Sequence, residues 1–364
     1  MSYFGLPTIY PALDDFVIPE HKKIFYIVVD GLGMNFLERY GKDSFLLNHT
    51  KRQLTSVFPS TTSTALTSLM TGLAPLQHGL TGWYMYFREL GAAGIPLPFK
   101  ARFTEKVFQE NGVDIKDIFD FKTFFSKINN TTVISPSETI NSAFSKFCFG
   151  NVNNIGYKTI EECFSMMKKQ IEEYDEKRLI FTYIAMFDDI AHKKGIYSEQ
   201  SIEFFNKLDK LFIDLSKIAK DKDCTMIITA DHGLIDTTKE TQLNLSDYPK
   251  IKECLILPLC GEPRIPYCYV RPQKMEQFIY EIENNFGEFC DRYSLDDILK
   301  KSLFGLGDIN PKFFDRVGDE ILIMKDNFVV FDKVYKEKFK DIVGFHGGLT
   351  REEMIVPLVV VSSE

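Results

Sequence analysis

Lys23-Ile-Phe-Tyr-Ile-Val-Val29-Asp30-Gly31 is an apolar run closed by an acid and a glycine. It lacks the apolar–polar alternation of a one-sided strand, so it suits a strand covered on both faces, as in a parallel sheet. Two later stretches repeat the pattern. Arg178-Leu-Ile-Phe-Thr-Tyr-Ile-Ala-Met-Phe187 runs into Asp188, and Thr225-Met-Ile-Ile-Thr-Ala230 runs into Asp231-His232-Gly233. Helical periods fall between them: Ile160–Tyr174 is amphipathic, and Ile202, Phe205, Leu208, Phe212, Leu215 and Ile218 mark one face of a helix over Ser201–Lys220. The alternation predicts an α/β fold with a largely parallel central sheet and helices on both faces.

In such sheets the loops at the carboxyl ends of the strands converge on one edge. Asp30, Asp188 and Asp231 are therefore expected to meet, and three carboxylates there repel unless a cation neutralises them. His192 follows Asp188 by four residues, His232 follows Asp231 directly, and His346 precedes a glycine pair and the last strand, Ile355–Val361. Mixed Asp/His ligation suits zinc or a similar divalent ion. Plainer readings exist for each: Asp30 capping the next helix, Asp188 and His192 as a cap and a surface histidine, Asp-His-Gly as an ordinary turn. Three of the six histidines in these loops outweigh them. His21 and His49 are expected to be exposed, and His78 to be structural. Asp30-Gly31-Leu-Gly33 is not read as a dinucleotide fingerprint, because Phe36 holds the third-glycine position.

A hydroxyl source lies in Phe58-Pro-Ser-Thr-Thr-Ser-Thr64, where Pro59 ends a strand and a helix begins that Gly72 closes. The first turn of a helix offers unpaired N–H groups suited to a phosphate or sulfate; an ordinary N-cap is the plain alternative.

The 364 residues carry a net charge of -8, which argues against a dedicated nucleic-acid surface. Seven cysteines without a CxxC pair read as reduced, buried residues of a cytoplasmic protein. No signal peptide and no membrane span are read, and the oligomeric state stays open. Residues 1–22 read as an irregular arm and Thr132–Ser135 as a strand. Residues 1–233 and 345–364 are assigned to the α/β core and 234–344 to an inserted α+β cap. In the cap, Tyr267–Arg271 is a predicted strand, Gln273–Asn284 and Leu295–Lys301 are predicted helices, and Glu320–Met324 with Phe328–Phe331 a predicted hairpin turning at Lys325-Asp-Asn327. Lys333, Lys336, Lys338 and Lys340 read as a solvated helix face.

Together, Asp30-Gly31, Phe58-Pro59…Thr62…Thr71-Gly72-x-x-Pro75-x-x-His78-Gly79, Asp188-x-x-x-His192-x-x-Gly195, Asp231-His232-Gly233 and His346-Gly-Gly resemble the alkaline phosphatase superfamily. The branch most similar is the nucleotide pyrophosphatase/phosphodiesterase group, whose motifs run in the same order from residue 24 to the last strand. The resemblance implies an alkaline-phosphatase-like fold and two divalent metals, zinc or alternatively manganese. Asp188, His192 and His346 would hold one; Asp30, Asp231, His232 and Thr62 would hold the other. Thr62 would be the nucleophile, activated by coordination. The activity implied is metal-dependent hydrolysis of phosphodiester or nucleotide pyrophosphate bonds through a phosphothreonine intermediate, on a small phosphate ester or nucleotide. A phosphomonoesterase or phosphonate hydrolase is the alternative, and an idle binding protein a third. The branch's usual asparagine is replaced here by Trp83. Trp83, Tyr84 or Tyr86 could stack on a planar leaving group and Arg88 could bind a phosphate oxygen, with packing as the competing role for all four. Absence of Cys-x-Pro-x-Arg disfavours a sulfatase.

Overall fold

The computed structural model describes residues 4–6, 8–14, 17–19, 21–333 and 341–362. Lys336, Lys338 and Lys340 of the expected lysine face lie outside the described residues. Seven strands make the central sheet: β1 (Lys23–Val29), β2 (Thr50–Thr55), β3 (Thr131–Pro136), β4 (Asn153–Tyr157), β5 (Arg178–Ile184), β6 (Cys224–Thr229) and β7 (Ile355–Ser362). Their spatial order is β2-β7-β6-β1-β5-β3-β4. Strands β6, β1, β5, β3 and β4 are parallel, whereas β7 runs antiparallel to both neighbours. The three strands followed by acids are thus adjacent at the centre.

Both faces of β1 are covered, as its unbroken apolar run requires. Phe25, Ile27 and Val29 join one core with residues of two long helices, α2 (Ile160–Glu173) and α4 (Glu199–Ala219). Ile24 and Val28 join a second core with Leu66 and Met70 of α1 (Thr62–Thr71) and a phenylalanine cluster that includes Phe119, Phe125 and Phe149. Helix α2 starts in a capping box: Thr159 Oγ1 accepts from Glu162 N (3.2 Å), and Glu162 Oε2 accepts from Thr159 N (3.4 Å). Gly72 ends α1 with φ of 71°, the left-handed conformation a glycine adopts without a Cβ penalty.

One expected strand proves shorter. The run Arg178–Phe187 stops being a strand at Ile184, and α3 (Met186–Lys194) begins two residues later, so Asp188 and His192 both stand on a helix. A continuous apolar run does not distinguish a buried strand from a buried helical turn, and here it contains one of each.

Within 234–344, Ile235–Asp236 pairs with Gly344–Phe345, so the chain leaves and returns side by side. Between them Cys260–Gly261, Pro266–Cys268, Glu320–Met324 and Cys290–Ser294 form a four-stranded antiparallel sheet in that order. The helix Met275–Asn285 covers it through Phe278 and Ile282. Glu320–Met324 and the following strand do not form the expected hairpin. Val329–Phe331 instead pairs in parallel with Gln242–Asn244. The buried Arg264 guanidinium fills the space between the two arms, donating to the carbonyls of Lys325 (3.3 Å) and Phe328 (2.6 Å). All seven cysteines are buried free thiols. Among the described residues no helix is long and apolar enough to cross a membrane.

Phe212, fully buried on α4, meets Phe164 of α2 edge-on at 4.9 Å. Phe212→Ala should cost about 3–5 kcal/mol in denaturant unfolding.

Candidate metal centre

Asp30 directly follows β1, and its N–H donates to Ile184 O at the end of β5 (2.9 Å). The next N–H, of Gly31, donates to Asp231 Oδ1 (3.1 Å), which also accepts from His232 N (3.0 Å). The turns after β1 and β6 touch glycine to glycine: a Cβ on Gly33 would stand 2.7 Å from Gly233 Cα. Asp188 and His192 share one face of α3 through their i,i+4 spacing.

Each histidine is aimed by a backbone carbonyl. Nδ1 of His192, His232 and His346 faces the carbonyls of Gly344 (2.7 Å), Gly233 (3.1 Å) and Ser60 (3.2 Å). A carbonyl only accepts, so Nδ1 carries a proton in all three and Nε2 points inward. His232 Nε2 accepts from Thr62 Oγ1 at 3.1 Å and lies 3.4 Å from Asp30 Oδ1 and 3.6 Å from Asp231 Oδ2. The His232 and His346 rings stack at 3.8 Å, and His192 lies 5.0 Å from His346.

The carboxylates are only half satisfied. Tyr183 donates to Asp30 Oδ2. Asp30 Oδ1, Asp188 Oδ1 and Asp231 Oδ2 are buried with no hydrogen-bond partner among the described residues. Burial, then the Asp231 and Asp188 charges, hold the Asp30 carboxyl well above its usual range. Such oxygens, facing inward imidazole nitrogens, are what a divalent cation requires. Ligand atoms of Asp30, Asp231 and His232 lie within 4.8 Å of one another, as do those of Asp188, His232 and His346. All seven expected residues therefore meet, with one difference in grouping. His192 is paired to Asp188 Oδ2 (3.1 Å) instead of joining the tighter second set, and His232 stands in both. Burial alone would lower the His192 pKa; the Asp188 carboxylate overrides it and holds it up at about 9. Burial and the neighbouring His232 keep His346 well below the ordinary histidine value.

The centre opens into a cavity of about 620 Å³ whose wall includes Thr62, Trp83 and Tyr84. Tyr86 and Arg88 are not on that wall. Tyr86 packs against Tyr269 (5.6 Å), and Arg88, largely exposed, pairs with Asp315 (2.8 Å), so both are committed elsewhere. The remaining histidines divide. His78 is fully buried, linked to Ser68 Oγ (3.0 Å) and Leu80 N (3.1 Å), and burial together with Arg316 lowers it to about 3. His21 and His49 are half-buried instead of exposed: Nδ1 of His21 meets Thr225 Oγ1 (2.7 Å) and Nδ1 of His49 donates to Phe45 O (2.8 Å).

Three cavity residues escaped the sequence reading. Glu262 accepts from Trp83 N (2.7 Å), and burial raises its carboxyl to about 8. Arg102 lies over the Tyr84 ring at 3.9 Å. Tyr183 could have been suspected as a polar tip within an apolar strand; Arg102 and Glu262 leave no local signal.

Residues 24–349 match the family described as type I phosphodiesterase / nucleotide pyrophosphatase. No curated protein sequence matches the chain. Murine ectonucleotide pyrophosphatase/phosphodiesterase 5 superposes with a TM-score of 0.70 at 17% identity, covering 92% of this chain and 87% of that one. An inactive variant of the murine protein in complex with AMP gives 0.68 at 16%, covering 92% and 87%. The human protein gives 0.68 at 15%, covering 93% and 88%. The shared architecture is the alkaline-phosphatase-like α/β fold.

His192, held up at about 9 in the metal-free protein, must be neutral to ligate, so uptake of a divalent cation at neutral pH should release at least one proton. Calorimetry in buffers of different ionisation enthalpy measures it. Glu262 binds its proton up to about pH 8 when folded but releases it near 4.5 when unfolded, so its contribution to stability falls as pH rises through that window. The melting temperature of metal-free Glu262→Gln, relative to wild type, should therefore climb from about pH 5 to about pH 8 and then level off.

Proposed function

The chain belongs to the type I phosphodiesterase/nucleotide pyrophosphatase family of the alkaline phosphatase superfamily and is a hydrolase of that type, and from this premise we propose that it works through Thr62 beside two divalent cations. The observation carrying the proposal is the ring of three buried, partnerless carboxylate oxygens around the Thr62–His232 hydrogen bond. Asp188, His192 and His346 would hold one ion; Asp30, Asp231, His232 and Thr62 the other. Zinc fits the Asp/His donor set best, with manganese as the alternative. Bound cations would lower the pKa of the Thr62 hydroxyl and stabilise charge on the leaving oxygen.

The chain's own groups supply the rest. Thr62 is the first residue of α1, and Thr61 makes no side-chain cap, so the first-turn N–H groups are free to face phosphoryl oxygens. Without cations, the hydrogen bond to His232 Nε2 holds Oγ1 at the position where both would meet a bound ion. Attack by Oγ1 on phosphorus forms the phosphothreonine and breaks the bond to the leaving oxygen. Water then cleaves the phosphothreonine and restores the hydroxyl. The fused Trp83 ring and the Tyr84 ring offer a stacking wall for a planar leaving group, in a cavity sized for a small molecule. The AMP complex of a structural relative supports a nucleotide. The stretch 234–344 acts as a cap subdomain, contributing Leu259, Glu262, Pro263 and Phe331 to the wall.

With zinc or manganese supplied, wild type should cleave a bis-aryl phosphate in preference to the mono-aryl ester. Thr62→Ala should lower kcat by about 10³-fold or more. Preference for the monoester would make the protein a phosphomonoesterase, and full activity of Thr62→Ala would remove the nucleophile assignment.

A further inference from the structure

Arg264 and Glu353 form a salt bridge in which neither side chain has any exposure. Nε and Nη2 of Arg264 donate to Oε1 and Oε2 of Glu353 at 3.1 and 3.0 Å, a bidentate pair. Arg264 lies in the turn between two strands of the four-stranded sheet; Glu353 lies in the short helix Arg351–Met354 that precedes β7. Removing both members of a buried ion pair in favour of apolar residues is often neutral for stability or better. A buried pair is therefore weak evidence for a purely stabilising role.

Its other bonds point to the centre. Glu353 Oε1 also accepts from Gly348 N (2.8 Å), and Oε2 from Thr350 Oγ1 (2.8 Å). The Glu353 main-chain carbonyl accepts from Gly233 N (2.8 Å), the residue after His232. Gly348 O accepts from Ser60 Oγ (2.8 Å), and Ser60 O receives the His346 Nδ1 proton. One glutamate thus grips the loop after His346 and the turn after His232, and through Gly348 it reaches the approach to Thr62. Gly348 has no slack, since a Cβ there would stand 2.5 Å from Glu353 Oε2. Arg264 is itself fixed by the two carbonyls that its Nη1 holds.

We propose that Arg264 and Glu353 are positioning residues: the pair sets the His346 loop against His232 and Ser60 and thereby sets the affinity of the centre for divalent cations. This rests on reading His232 and His346 as ligands. Arg264 locks the carboxylate so that both oxygens face the loop, and the loop in turn holds the His346 ring against that of His232.

The test is the double variant Arg264→Met with Glu353→Leu, which leaves no charge stranded but deprives Gly348 N and Thr350 Oγ1 of their acceptor. Its unfolding midpoint should fall, because Gly348 N and the Lys325 and Phe328 carbonyls lose their partners, while the zinc affinity of the folded variant by titration calorimetry falls about 10- to 100-fold. Arg264→Lys, which keeps the charges but not the bidentate fork, should lose affinity in the same direction and decides the matter if the double variant does not fold. A folded variant with zinc affinity within about twofold of wild type would overturn the proposal, because the size expected of such an outer contact is an order of magnitude or more. The underlying site reading fails separately, if wild type takes up no zinc or if His346→Ala leaves zinc affinity untouched.

Discussion

Mutual repulsion among three buried carboxylates is the constraint to which this structure answers. Asp30, Asp188 and Asp231 come together because β5, β1 and β6 are neighbours and run the same way, so their carboxyl ends open on one edge. Two like charges about 4 Å apart repel by roughly 4 kcal/mol at an effective dielectric of 20. Hydrogen bonds from Tyr183, Gly31 and His232 relieve part of this by taking one oxygen each of Asp30 and Asp231. What remains is directed inward, toward the three imidazoles. The fold thus builds a place of concentrated negative potential and lines it with imidazoles that can ligate a cation once His192 has given up its proton.

Histidine orientation follows the same economy of means. Every ligand-type ring is turned by a carbonyl of a loop already fixed by the sheet: Gly344 beside the Ile235–Asp236 pairing, Gly233 beside the glycine contact, Ser60 ahead of α1. The acceptors come from the site's own segments: Gly233 from the turn that carries Asp231, Gly344 from the strand just before His346, and Ser60 from the approach to Thr62.

Much of this was legible in the chain. Strands β1 and β6 announced themselves as unbroken apolar runs, and the acids after them lie where parallel topology puts them. Asp188 was expected at the centre as the acid after an apolar run, with His192 four residues on; both lie there, although the same run concealed the passage from β5 into α3. Local signals failed where partners are remote. The turn after Met324 looked like a hairpin until Arg264, some sixty residues earlier in the chain, occupied the gap between its arms. Glu262 and Glu353 acquire their roles from contacts across long loops, and neither sits in a spacing that marks chemistry. Tyr86 and Arg88 failed for the opposite reason: suitable side chains near the right residues, but spoken for by Tyr269 and Asp315.

The place of β7 bears on how the molecule is made. This strand follows every other strand of its sheet in the chain, yet it lies inside the sheet, between β2 and β6. During synthesis the edge of β6 stays open until residues 355–362 leave the ribosome, and β2 has no companion at all. An open, apolar strand edge invites pairing with another chain. From the completion of β6 until residues 355–362 arrive, the polypeptide therefore carries an adhesive seam at what becomes the interior of the sheet.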